Sequence, residues 1–367
     1  MTSAYVPLTP LGADWEPEGS DRSDPCLVPV ANRLVQNQQR GDTSYANYAK
    51  DQEMSLITRC LVTAGIGMLA SAPALAGPPF SNIEGVSGGG LVVTAEIANP
   101  IAKPGEGLNG SSVVGIPQAG VWYVNLPDSD LTWTALSAQM SFFNRFEVGL
   151  SHSNVDASKA TGAGSVNFTT ITAKLQVIKP GQFGALTPAF AVGYINKNTD
   201  NATMIPSFVP GIGDTRLYPD DSGGDYYAAL TETFYKNVGL PLPISLNVGM
   251  RRTKAYLTGI EGFGQKWDNP YFASISIGLP APQFMTGHMA LAAEYADSSN
   301  VGYDRLGRPM KTSRMYDIAL AWLPTPKLTF LAAYLNTGSK NIYDGLKAGQ
   351  NPSQLGAGFV LTAQYQF

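Results

Sequence analysis

The chain ends on a pattern that few folds can use. Phe359, Leu361, Ala363, Tyr365 and Phe367 occupy alternate positions, separated by Val360, Thr362, Gln364 and Gln366. Successive side chains of a strand point to opposite faces, so this segment has one apolar face and one small or polar face. The pattern recurs upstream. Leu136, Ala138, Met140 and Phe142 oppose Ser137, Gln139 and Ser141, while Phe146, Val148 and Leu150 oppose Glu147 and Ser151. Ile171, Ala173, Leu175 and Val177 oppose Thr170, Thr172, Lys174 and Gln176. Ile244, Leu246, Val248 and Met250 oppose Ser245, Asn247, Gly249 and Arg251, and Met289, Leu291, Ala293 and Tyr295 oppose His288 and Glu294. Twelve strands are predicted: 118–126, 131–143, 146–154, 166–177, 186–196, 225–236, 243–256, 270–279, 286–296, 313–323, 327–335 and 357–367.

Soluble sandwiches alternate too, so the environment has to come from elsewhere. Only 14% of the 367 residues are charged, against about 25% in a typical soluble domain. The net charge of −4, without long single-sign runs, argues against nucleic acid as a partner. The body of the chain has no apolar run of about 20 residues, which excludes a helical multi-span protein. The connections then break the tie. Asn144-Arg145, 179–185, 237–242, 280–285 and 324–326 are short, whereas 155–165, 197–224, 257–269, 297–312 and 336–356 are mostly longer. Short turns at one end and long loops at the other suit a transmembrane barrel. The tight link Pro127 to Asp130 is the exception. Tyr194, Tyr271, Tyr295, Tyr316 and Tyr334 fall near loop ends, and Phe142, Phe146, Phe234, Trp322 and Phe367 near turn ends, as two interfacial girdles require.

The expected fold is therefore an all-β, transmembrane, antiparallel up-and-down β-barrel of about 12 strands. Fourteen is the alternative, should Leu91 to Ala98 form a strand and demand a second. Residues 118–367 make the barrel, and 77–117 an N-terminal periplasmic or plug segment. Upstream, Arg59, the apolar run Leu61 to Gly77 and Ala74-Leu75-Ala76 follow the three-part order of a Sec signal peptide, 54–76, cleaved between Ala76 and Gly77. Residues 1–53 are polar and Pro-dotted without apolar periodicity, which reads as an untranslated or disordered extension. The cysteines, Cys26 and Cys60, both precede the cleavage site, so the mature chain lacks disulfides and thiolate metal sites.

A cleaved signal, alternating strands and a last strand Phe359-Val360-Leu361-Thr362-Ala363-Gln364-Tyr365-Gln366-Phe367 resemble the outer-membrane β-barrel proteins of Gram-negative bacteria. The resemblance covers the mature chain. It implies the bacterial outer membrane as location, membrane lipid as surroundings, and the barrel-assembly machinery as a partner reading Tyr365 and Phe367. It also allows a homo-oligomer. The stretches Gly77-Pro78-Pro79-Phe80 to Gly90 and Val121-Trp122-Tyr123-Val124-Asn125-Leu126 are similar to uncharacterised proteobacterial porin-like families, which bring no established substrate.

On the predicted inward faces lie Gln139, Glu147, Lys174, Arg251, His288, Glu294, Asp317 and Gln364. They are the candidate lumen lining, serving either as a structural ion-pair network or as groups that tune passage of an unknown small-molecule solute. Catalytic motifs lack their context. Gly85-Val86-Ser87-Gly88-Gly89 matches a nucleophile elbow, but without a strand before and a helix after it, it reads as flexible linker. His152 cannot serve Ser151 or Ser153 of its own strand, because neighbouring side chains diverge. Asp214, Asp220, Asp221 and Asp225 cluster in or beside the longest loop and read as solvated acids rather than a Ca²⁺ site. No catalytic residue, cofactor or metal site is expected. Porin-like passage or uptake is the leading function, with the 197–224 loop as a possible constriction. The alternatives are a non-transporting structural or polysaccharide-export-associated barrel, and a lipid-modifying enzyme.

Overall fold

The computed structural model describes residues 80–156, 165–200, 220–260, 262–303, 309–338 and 355–367, together with Ser158, 208–209 and 213–214. The proposed extension, signal peptide and cleavage site, Ala76 and Gly77, lie outside the described residues, as does nearly all of the 201–219 loop. Twelve strands run in chain order: β1 Gln118–Leu126, β2 Leu131–Phe142, β3 Phe146–Asp156, β4 Ser165–Ile178, β5 Ala189–Asp200, β6 Ser222–Phe234, β7 Ile244–Ala255, β8 Tyr271–Pro280, β9 His288–Ala296, β10 Met315–Thr325, β11 Leu328–Asn336 and β12 Ala357–Gln366. Each pairs antiparallel with the next, and β12 returns to β1 with Gln118 opposite Gln366 and Asn125 opposite Phe359. The sheet is a closed barrel, so every central strand has both edges paired. A short extra strand, Phe263–Asp268, pairs with the end of β7, and Asn300–Tyr303 pairs with Pro309–Lys311 in a small hairpin.

The alternation read from the sequence sets the faces. Leu136, Ile171, Val248, Ile318, Leu361 and Phe367 are exposed on the outside, while Gln139, Thr170, Lys174, Asn247, Asp317 and Gln364 are buried on the inside. Two strands run further than their apolar pattern. β5 continues to Asp200 and β6 begins at Ser222, not at 196 and 225 as predicted. The reason is visible in the outward residues. Asn196, Asn198 and Asp200 are exposed and polar, so the segment looks like a loop, yet Lys197 and Thr199 still point inward and are buried.

The interior is occupied. Residues 80–101, short of any regular strand, fold back inside the barrel, and Phe80, Asn82, Glu84, Val86, Val92, Val93, Ala95 and Ala98 are buried there. Leu91 to Ala98 is irregular chain held by isolated bridges such as Gly88 to Val93, so no thirteenth barrel strand arises from it. The described part of 77–117 from Phe80 to Ile101 lies inside the barrel, in the position a plug would take. The chain leaves the lumen at Ile101, whose backbone N–H and C=O are both bonded by the Asn144 side chain at 2.7 Å in the β2–β3 turn.

Small inward side chains make the room. Ser151 donates to the Ile83 carbonyl at 2.7 Å, Thr170 to that of Glu84 at 2.5 Å and Thr172 to that of Gly85 at 3.2 Å. Between them sits Gly149, where an added Cβ would stand 1.9 Å from the Gly85 carbonyl oxygen. Nothing larger than hydrogen fits against that backbone. The Gly149→Val variant is therefore expected to form the same barrel with its plug expelled. Hydrogen exchange checks this: amides 82–98 should lose protection while strand amides keep theirs, and an unchanged plug would contradict the packing described.

Candidate functional site

The plug is held at three places by ionisable groups of the wall. At the first, Glu84 reaches between β5 and β7. Lys197 Nζ lies 2.5 Å from Glu84 Oε1 and 2.7 Å from Asp225 Oδ2. Arg251 binds Glu84 through both terminal nitrogens, at 3.0 and 2.7 Å, and meets Asp225 at 3.3 Å. Thr253 Oγ1 adds a short hydrogen bond to Asp225. The four charges sum to zero, and the Arg–carboxylate fork is the geometry that fixes orientation best. Asp225 is thus a buried strand residue, not the solvated loop acid expected from its neighbours. Asp220 forms a bridge with Phe263, Asp221 has its carbonyl bonded by the Thr199 N–H at 2.8 Å, and the Asp214 side chain lies outside what is described.

At the second place Glu147 and Lys174 stand opposite each other on β3 and β4, 3.7 Å apart and fully buried. Glu147 accepts the backbone N–H of Ser87 at 2.8 Å and of Ala98 at 2.7 Å. Lys174 donates to the carbonyls of Ser87 at 2.7 Å and Glu96 at 2.8 Å, and the Ser87 hydroxyl bridges the two charges. This corrects the linker reading of Gly85-Val86-Ser87-Gly88-Gly89. The glycines permit close approach to the lumen wall, and the segment is fixed rather than flexible.

The third contact is Glu294 on β9. The consecutive N–H groups of Gly90, Leu91 and Val92 converge on its carboxylate at 3.2, 2.5 and 3.1 Å. Successive backbone N–H groups form a concave anion site, here with the anion supplied by the wall. Gly89 lies so close that a Cβ would overlap Glu294 Oε1 at 1.3 Å. Asp317 on β10 is directly opposite Glu294 in the strand register. Beyond these charges, Gln364 pairs both ways with the Ser81 backbone, receiving its N–H at 2.8 Å and donating to its carbonyl at 2.9 Å.

Of the predicted lining residues, Gln139, Glu147, Lys174, Arg251, Glu294, Asp317 and Gln364 face the interior. Plug contacts engage five of them, whereas Gln139 has no hydrogen-bond partner among the described residues. His288 is exposed at the short-turn end of β9, away from that network. His152 points outward and shares a hydrogen bond with Thr169 at 2.9 Å. Glu84, Lys197 and Asp225 escaped the list of lining residues. Lys197 was hidden by its polar neighbours, and Glu84 lies outside the alternating strands. The one available signal was period-two parity carried past residue 196.

The interior has a second, different sector. Trp122, Val124 and Leu126 of β1, Leu131 and Ala135 of β2, Ala319 and Ala321 of β10, Leu331, Ala333 and Leu335 of β11 and Val360 of β12 form a buried apolar cluster. A cavity of about 740 Å³, counting its open side, lies between this wall and the plug residues Ile83, Glu84, Gly90 and Leu91. Polar wall with plug and apolar wall with cavity divide the lumen between them.

Residues 77–350 match the family model described as "Protein of unknown function (DUF3034)". The chain belongs to this family. No curated protein matches the sequence. Two solved structures similar to this DUF3034 chain are a NanC porin and the outer membrane protein Omp33 of Acinetobacter baumannii. The first is 10% identical, covers 68% of this chain and 98% of its own, and gives a TM-score of 0.39. The second is 11% identical, covers 70% and 98%, and gives 0.36. At these scores the barrel rests on its own strand pairing.

The latch has a calculable pH response. Burial pushes the Glu84 carboxyl up, but Arg251 and Lys197 outweigh it and hold it down at about 2, below the ordinary 4.5. A carboxyl lowered in the folded state stabilises fully above its unfolded value and loses that contribution as pH falls through the folded one. Plug protection, corrected for intrinsic exchange, is expected to weaken from about pH 4.5 down to about 2. The Glu84→Gln variant should have less protection at neutral pH and a flatter profile. Removing one cation is harsher. Lys197→Met leaves Arg251 alone against two buried carboxylates, and a broken buried pair typically costs about 3–5 kcal/mol. Chemical denaturation should show a loss of that size, and a loss below ~1 kcal/mol would show that the pair adds little net stability.

Proposed function

We propose that this protein is an outer-membrane barrel that lets a small molecule in from the long-loop end, with the plug closing the lumen until its ionic latch lets go. The observation that carries the membrane reading is the outer surface. Leu136 is 63% exposed, Ile171 59%, Val248 55% and Ile318 54%, and all belong to the outward set of one closed barrel. Soluble monomers rarely expose a contiguous apolar patch beyond a few hundred Å², whereas a lipid-facing band consists of one. Aromatic residues near the strand ends support it: Tyr316 and Tyr334 toward the long loops, Phe146, Trp322 and Phe367 toward the short turns. Export agrees with the family match, which begins at Gly77, the first residue after the proposed cleavage site.

Passage is supported by the uneven lumen. One sector is filled by plug and charge; the other retains a cavity. A barrel meant only as a rigid pillar has no need of that division. The second reading, a non-transporting structural barrel, is favoured by the depth of the plug, since Glu84, Glu147 and Glu294 are all buried. An enzymatic role finds little support. Ser87 is buried and engaged with Glu147 and Lys174, so no substrate carbonyl can reach it.

Two measurements test these readings. Leu136 sits mid-strand, where an arginine facing hydrocarbon costs about 2–4 kcal/mol. Leu136→Arg should lower folding stability in lipid vesicles by that amount, and a change near zero would remove the membrane. In planar bilayers the intact protein is expected to conduct weakly, and Gly149→Val, which expels the plug, to conduct severalfold more. No conductance in either form would discard passage and leave the structural barrel.

A further inference from the structure

The cavity beside the plug has the character of a binding site, not of loose packing. It lies between the strand wall and the plug and is open on one side. Leu126, Leu335 and Thr337 place it at the long-loop ends of their strands, where a molecule from outside would arrive. Its walls are apolar, with Leu331 and Ala333 on one side and Ile83 of the plug as floor. Apolar walls cannot replace the hydration of a polar surface, so the bulk of a ligand must be apolar.

Polar residues interrupt these walls: Glu84 and Thr337 are engaged, whereas one polar atom each of Trp122, Trp133, Thr258 and Asp317 lacks a partner among the described residues. Trp122 is 3% exposed, and its indole N–H meets no acceptor. The indole N–H of Trp133, on the neighbouring strand β2, is likewise buried and unmatched. Asp317 is 4% exposed, and its Oδ1 has no donor. Buried polar atoms in proteins are nearly always satisfied, so a cavity lined by four that are not asks for a complement. An indole can only donate, and the Asp317 side chain, which shares a hydrogen bond with the Glu294 carboxyl opposite, leaves Oδ1 bare as an acceptor. A carbonyl would answer the indoles alone, and an amine the carboxylate alone. A hydroxyl answers both.

We infer that the cavity binds a small, largely apolar molecule bearing a hydroxyl group, which donates to Asp317 and accepts from Trp122 or Trp133. The inference names the solute class for the passage proposed above and rests on that reading for its biological meaning. The binding itself can be measured without transport. The test is isothermal titration calorimetry of the full barrel in detergent with 1-naphthol, and with naphthalene as the same ring system without the hydroxyl. A single site is expected, with 1-naphthol at least about tenfold tighter, the size of one net hydrogen bond to a charged group. Trp122→Phe and Asp317→Asn should each weaken 1-naphthol severalfold and leave naphthalene unchanged. Ala333→Phe fills the cavity and should abolish both signals, separating the site from partition into micelles. Heat-modifiable migration on gels verifies that each variant is a folded barrel.

Equal binding of the two probes would overturn the hydroxyl assignment. Binding of neither, or binding that survives Ala333→Phe, would overturn the cavity as the site. Conductance on the same preparation keeps the two readings apart. A barrel that conducts without a naphthol site sinks this inference alone. A naphthol site in a barrel that never conducts sinks passage and leaves the site standing.

Discussion

A closed sheet has a fixed bore. Strand number and tilt set the diameter; about eight strands are filled by their own side chains, and sixteen or more leave open water. Twelve lies between. This barrel's inward faces, rich in Ser, Thr, Ala and Gly on β3 to β6, are too small to meet across the middle, so something else must fill it. The N-terminal segment does. That one geometrical requirement explains why residues without any strand pattern are among the most buried in the molecule, and why a glycine stands wherever plug backbone touches wall backbone. It also explains the low cost of an irregular chain here: its backbone groups are satisfied by wall side chains such as Asn247, which donates to the Val93 carbonyl at 3.0 Å, and Thr231, which accepts the Ala95 N–H at 2.8 Å.

Charge is used to choose among ways of filling that space. A buried ion pair seldom stabilises more than a well-packed apolar pair of the same volume, because both partners surrender their hydration. What it does supply is discrimination, since a plug shifted by one residue would strip Glu84 of both cations and leave Lys197 and Arg251 sharing Asp225 alone. Glu147 and Glu294 work by the same logic with backbone N–H groups as the counterparts. They fasten the plug at Ser87 and Ala98 and again at Gly90 to Val92, leaving the loop between as a turn of determined shape. The arrangement is stable but brittle. Losing one partner exposes the others to an unpaired charge in a dry interior, which is the property a latch requires.

The wall was legible in the sequence because alternation is a local signal. All twelve strands, their inward and outward faces and the closing role of Phe359 to Phe367 follow from period-two parity and turn residues. Seven of the eight candidate lining residues do face inward for the same reason. His288 has the right parity but sits past the end of the covered lumen. The plug was legible only as one of two alternatives for 77–117, and its conformation not at all, because that is specified by partners far away in the chain: Ser81 by Gln364, Glu84 by Lys197 and Arg251, Gly90 by Glu294. No window over 80–101 contains that information. A stretch of Gly, Ser and small apolar residues reads as linker when it is alone and becomes rigid when a tube surrounds it.

The apolar sector follows from the same constraint taken one step further. Plug backbone is polar and needs donors and acceptors around it, so the wall that faces it is hydroxyl, amide and charge. The wall on β1, β2 and β10 to β12, which the plug meets chiefly through the side chains of Phe80 and Ile83, has little backbone to satisfy beyond the Ser81 pairing with Gln364, and there Trp, Leu, Val and Ala turn inward instead. Side chains of that kind in a closed sheet should close on one another and exclude space. Here they do so toward the short-turn end, where Ala321 and Leu323 join the cluster with Phe80, and fail to do so toward the long loops. The failure coincides with Trp122, Trp133 and Asp317, the inward groups that carry polar atoms into an otherwise apolar wall. At Trp122 and Trp133 packing alone would favour Leu or Phe, which would remove an unmet indole N–H and fill volume at once. Asp317 differs, because it stands opposite Glu294 and belongs also to the set of groups that fastens the plug.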